Sequence, residues 1–164
     1  MKWEVVISTT KQELFELWHD DKKLLSLDFH PGTNSARVQY AGEKRVFLIR
    51  REGFLRNKTV LRNEYGIRIG QLSHEKSNAD EGIIELNDEK FFYEVRKNPL
   101  AELVIYRSVK IKPFVVCGLK PGSGNTFIQF SKANTFSTTQ HFLLMALCWY
   151  MFQPVAKQNT LEYA

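Results

Sequence analysis

The 164-residue chain has only two cysteines, Cys117 and Cys148. They form no CxxC pair and no metal-ligand spacing, so the pattern is neither a disulfide scaffold nor a zinc module. Each sits in an apolar run, Phe-Val-Val-Cys and Ala-Leu-Cys-Trp. A reduced thiol there behaves as a small hydrophobe, so both are expected as buried free thiols. No secretory segment is expected, because the apolar core near the N-terminus is just Val5, Val6 and Ile7. With no export signal and no disulfides, the expected location is the cytoplasm. No low-complexity tract, linker or composition break divides the chain, which reads as one domain over 1–164.

The signatures of catalysis are absent too. His19, His30, His74 and His141 are scattered and form neither HxH nor HExxH. The Gly122 and Gly124 loop lacks the Gly-Lys-Ser/Thr close of a phosphate loop and reads as a hairpin turn. No nucleophile elbow occurs, and Asp20–Asp21 and Asp80–Glu81 fall in apparent turns. No metal, cofactor or catalytic residue is expected. Phe91, Phe92, Tyr93 and Trp149 read as core and not as base-stacking platforms, so no specific nucleic-acid partner is expected either.

Short β-rich segments are present in quantity. They cover residues 3–8, 13–18, 23–29, 36–41, 44–50, 58–62, 67–72, 83–86, 90–96, 102–108, 110–117 and 126–131. Alternation of apolar and polar side chains supports several, as in Leu25, Leu27 and Phe29. Residues 13–18 could start a helix through a Thr10–Glu13 capping box, but the polar turn at 19–22 favours a hairpin. Leu103, Ile105, Val109 and Ile111 are read as one strand face. Gly66 is placed where a turn needs a left-handed residue.

One segment differs from all of these. Residues 142–152, FLLMALCWYMF, carry no charge. Ser137 and Gln140 have the form of a capping box and Pro154 reads as a stop, which predicts a helix over 138–153. Such a helix is about 24 Å long, short for a bilayer that needs about 20 apolar residues. Being apolar on every face, it must be buried on every face. A flat sheet covers one side; a closed one covers all sides and removes exposed edges. The expected fold is therefore mainly β: a closed antiparallel barrel of about twelve strands around a hydrophobic C-terminal helix.

Many short strands followed by one hydrophobic helix resemble the tubby-like barrel superfamily, which includes tubby C-terminal domains, phospholipid scramblases and LURP-one-related proteins. The segment from Val60 to Gly70 is similar to the family's recurrent hairpin around a glycine, and that from Ile84 to Tyr93 to the hairpin after it. The resemblance implies a membrane-associated or lipid-interacting module. It does not extend to an acidic calcium segment beside the final helix, which this sequence lacks.

The charge pattern points the same way. The chain carries a formal net charge of +5. Between residues 44 and 68 lie eight cations, Lys44, Arg45, Arg50, Arg51, Arg56, Lys58, Arg62 and Arg68, against the acids Glu52 and Glu64. A basic barrel face could hold phosphate or an anionic membrane surface; a solvated outer face would carry the same residues. The leading expectation is a non-enzymatic tubby-like module that binds an anionic ligand or phospholipid head group through these eight residues, peripheral at a membrane. A protein-interaction or scaffolding domain and a tail-anchored membrane protein are the alternatives.

Overall fold

The computed structural model describes residues 1–52, 58–75, 78–107, 111–120, 125–130 and 139–162. Twelve strands come first: β1 (Lys2–Ser8), β2 (Glu13–His19), β3 (Lys22–His30), β4 (Ser35–Tyr40), β5 (Glu43–Glu52) and β6 (Lys58–Asn63). Then follow β7 (Arg68–Glu75), β8 (Asn78–Leu86), β9 (Glu89–Arg96), β10 (Glu102–Tyr106), β11 (Val115–Leu119) and β12 (Thr126–Phe130), and last the helix α1 (Thr139–Glu162). Each strand pairs antiparallel with the next, in the order β1 to β12. The first and last strands meet through three hydrogen bonds. The Ile128 N–H donates to the Met1 carbonyl at 2.9 Å, the Trp3 N–H to Thr126 Oγ1 at 2.8 Å, and the Thr126 hydroxyl to the Trp3 carbonyl at 3.0 Å. The sheet is thereby a nearly closed barrel.

Turn chemistry explains the regular meander. Three hairpins close on two residues that both have positive φ: Asp20 and Asp21 (47° and 59°), Ala41 and Gly42 (45° and 81°), Asn87 and Asp88 (46° and 67°). Such turns match the right-handed twist of the strands they join. Gly66, with φ of 78°, serves the β6–β7 turn as its sequence position predicts. All four turns lie at one end of the barrel, because successive strands reverse direction. The turns into β2 and β4 lie at the other end.

The inward positions alternate down each strand, as in Phe15 and Leu17, Leu25 and Leu27, Phe47 and Ile49, Phe91 and Tyr93, Leu103 and Ile105, all buried. They surround α1. Phe142 stacks on Tyr40 at 3.9 Å near the first end, and Trp149 packs on Phe15 and Phe29 at 4.7 and 5.3 Å toward the second. Lys157 then meets Glu13 at 3.2 Å beside the β1–β2 turn. The helix therefore threads the barrel from one end to the other. Among the described residues no helix is long and apolar enough to cross a membrane.

Two expectations are corrected. Pro154 does not end the helix, which continues to Glu162. Proline removes one backbone donor, a loss a helix can carry where neighbouring packing holds it. The predicted face Leu103, Ile105, Val109 and Ile111 is also broken. β10 ends at Tyr106, Ile111 is 84% exposed, and Val109 lies outside the described residues. Pro113 cannot donate to a ladder, so β11 starts only at Val115. The proposed cap at Ser137 and the Gly122–Gly124 loop also lie outside the described residues.

Candidate functional site

Strand reversal distributes the seven described cations of this set over both ends of the barrel. Lys44 and Arg45 follow the Ala41–Gly42 turn, and Arg62 and Arg68 flank the β6–β7 turn at that same end. Arg50, Arg51 and Lys58 lie at the opposite end. From Arg45 to Arg51 the strand advances about 20 Å, at roughly 3.3 Å per residue. Arg56 lies outside the described residues.

The two groups differ chemically. Arg62, opposite Leu48 midway along β5, is a structural tie between Gly66 at the first end and Glu52 toward the second. Its Nε and Nη2 donate to Glu52 Oε1 at 3.3 and 3.1 Å, and its Nη1 to the Gly66 carbonyl at 3.0 Å. Arg45 approaches Glu43 at 3.5 Å. Arg68 borders a depression of about 450 Å³ together with Lys90, Glu85 and Asp88, and neither it nor Lys44 forms an ion pair among the described residues. Gln71, in the same depression, donates through Nε2 to Glu85 Oε2.

At the second end, Thr59 stands opposite Arg51 and Val60 opposite Arg50, while Lys58 pairs with Glu52 in the ladder. This places Arg50, Arg51 and Lys58 at neighbouring backbone positions on one end of the barrel. None forms an ion pair among the described residues. Arg50 and Lys58 belong to the outward set. Arg51 falls in the inward set with Phe47 and Ile49, but at the rim, where it is exposed.

Two hollows adjoin the arginines of this group. A polar one of about 420 Å³ is lined by Arg50, Arg51, Thr33, Asn34 and Tyr150. A more apolar one of about 240 Å³ runs between α1 and the strands β6 to β9. On the helix side it is lined by Tyr150, Met151, Pro154 and Val155; across from them stand Leu72, Tyr93, Val95 and Thr59. Arg51 and Tyr150 border both hollows. Asp80 also reaches the apolar one, with its carboxylate held by Lys97 at 2.9 Å. Thr59 is 4% exposed and is the buried polar side chain among the described residues.

The helix explains why the cleft opens where it does. From Phe142 to Trp149 every residue is buried. Beyond, burial becomes one-sided: Phe152 and Ala156 are buried, while Tyr150, Met151 and Val155 are half-buried and Pro154 is exposed. The i, i+4 spacing of 150, 154 and of 151, 155 puts these four on one face. That face stands off the barrel wall.

The remaining sequence candidates are local. His19 approaches Asp20 at 3.4 Å and His30 approaches Asp28 at 3.3 Å. No group of three or more metal-ligating side chains gathers among the described residues. The ring of His141 lies 6.2 Å from that of Phe114, and the side chain of His74 is outside the described set. Cys117 and Cys148 are free and buried, as their apolar runs indicate. Burial, and then the neighbouring Cys117 thiol, push the Cys148 thiol well above its ordinary value. Sequence reasoning missed the apolar cleft, since it took Pro154 as the end of the helix. The polar residues Gln153 and Lys157 after the apolar run were the available signal that a two-faced helix continued.

No family model, characterised protein or solved structure matches the chain.

Proposed function

We propose that this barrel is a non-enzymatic, tubby-like binding module that takes a phosphate-bearing anionic ligand at the end where α1 emerges. The observation that carries the reading is the adjacency of Arg50, Arg51 and Lys58 without ion-pair partners among the described residues. Exposed cations next to a polar hollow attract phosphate oxygens, and arginine does so with a planar fork of donors. Arg62, which the sequence grouped with them, contributes less to such a site because Glu52 already occupies its guanidinium. The resemblance to tubby-like barrels rests on the two hairpin patterns and on the order of strands before helix. The phosphate can be free or the head group of a phospholipid, in which case the module is peripheral at a membrane.

Flotation with vesicles separates the two sources. Phosphatidylcholine vesicles with and without an anionic phospholipid are compared at rising salt, and free inorganic phosphate is tested as competitor. Near a membrane each Lys or Arg is worth about 1 kcal/mol. Replacing Arg50, Arg51 and Lys58 by Gln should then weaken recruitment on the order of a hundredfold. Recruitment lost to competing phosphate indicates a head-group site. Indifference to anionic vesicles and to phosphate at low salt would overturn the reading.

A further inference from the structure

The polar and apolar hollows at the second end share Arg51 and Tyr150, and this continuity defines more than a phosphate site. We infer that the ligand is a single-chain anionic amphiphile, its phosphate held at Arg50 and Arg51 and its alkyl chain lying in the cleft between α1 and strands β6 to β9. The inference rests on the phosphate reading above and adds the class of ligand.

Three observations carry it. First, the cleft is lined by Leu72, Val95, Met151, Pro154 and Val155, an apolar surface that water wets poorly. Methionine and proline give it an adaptable and a rigid wall respectively. Second, its volume of about 240 Å³ suits one chain. Specific small-molecule pockets start near 300 Å³, so a two-chain lipid would not fit it alone. Third, the charge is graded along the pair of hollows. Arg50 and Arg51 stand at the polar hollow with no ion-pair partner among the described residues. The acid of the apolar cleft, Asp80, is already offset by Lys97. An anionic head is thus favoured at one end of the groove and not along its length.

The test uses the intact protein and monoalkyl phosphates of increasing chain length, below their micelle-forming concentrations. Inorganic phosphate and the matching alcohols serve as controls, with binding read by titration calorimetry. Each methylene that enters the cleft should tighten binding about fourfold, the equivalent of about 0.8 kcal/mol, until the cleft is full. Arg51→Gln should weaken every phosphate and leave the chain-length slope unchanged. Val155→Trp should fill the cleft, flatten the slope and leave inorganic phosphate binding intact. Should that variant fail to fold, the slope of the unaltered protein decides the matter alone.

Phosphate binding without a chain-length slope would overturn this inference while leaving the phosphate site standing. Absence of binding by any phosphate would overturn both. Alcohols binding as tightly as the phosphates, unaffected by Arg51→Gln, would overturn the assignment of an anionic head.

Discussion

Eight consecutive residues of α1, Phe142 to Trp149, are buried, which is more than two full turns at 3.6 residues each. A helix on a protein surface has one exposed stripe, and substitutions on that stripe stay within about 0.5 kcal/mol. No such stripe exists over these eight positions. An alanine scan across them should therefore show no helical period. Leu144, Met145 and Leu147 are 0% exposed, and each should cost about 2–5 kcal/mol on truncation to alanine. Trp149 and Phe142 should cost about 3–5 kcal/mol. Ala146 is the converse case, where leucine should overpack the barrel by about 1–3 kcal/mol. A domain of this kind has about 5–15 kcal/mol in total. Aspartate at Leu144 or Leu147, a charge buried without a partner, should then abolish the fold.

Urea denaturation followed by tryptophan fluorescence and far-ultraviolet dichroism measures each variant. At this chain size 1 kcal/mol moves the thermal midpoint by about 2–4 °C. The flat profile should change to a periodic one after Trp149, with Pro154 and Val155 tolerant and Phe152 sensitive. Folded, cooperative aspartate variants at Leu144 and Leu147 would refute the threaded helix. So would tolerance at every third or fourth position from 142 to 149.

Three further outcomes test the packing elsewhere. A methyl group on Gly82 would overlap the Ser73 carbonyl and the ring of Tyr93, so Gly82→Ala should lose about 1–3 kcal/mol in urea denaturation, and an unchanged midpoint would show that the wall can yield. Cys117 and Cys148 should resist a thiol reagent at pH 8 in the folded protein and react fully in denaturant, with the native rate following global unfolding. Because the folded pKa of Cys148 lies above its unfolded value, its contribution to stability is present below the unfolded thiol pKa. It is lost as the pH rises above that value toward the folded one, so urea midpoints should fall in that alkaline window and not at neutral pH.

Local chemistry made much of the architecture legible. The alternation in Leu25, Leu27 and Phe29 marks a strand whose inner and outer faces differ, and Leu25 and Leu27 are indeed buried. Turns such as Asn87–Asp88 need only two residues that tolerate positive φ, a property of the residues themselves. The uncharged run at 142–152 required enclosure whatever surrounded it. The strand reading failed at Ile111, where the pattern ran past Pro113 and into a bend. Pattern alone does not weigh one missing ladder donor against several apolar residues.

The basic face behaved differently. Eight cations within 25 residues are one cluster along the chain, but strand direction reverses at every turn. Arg62 and Arg68 return to the end of Arg45, and Lys58 joins Arg50 and Arg51 at the other. Which of them already have acidic partners depends on cross-strand approach, as between Arg62 and Glu52. The sequence by itself determined that a sheet must surround a helix, because burial of an all-apolar helix and two-residue turns are demands of short segments. Only the tertiary structure decided which charges stand together, how far α1 runs beyond Pro154, and that a cleft opens beside it. Those depend on register and on the direction of packing between residues distant in the chain, which no local pattern encodes.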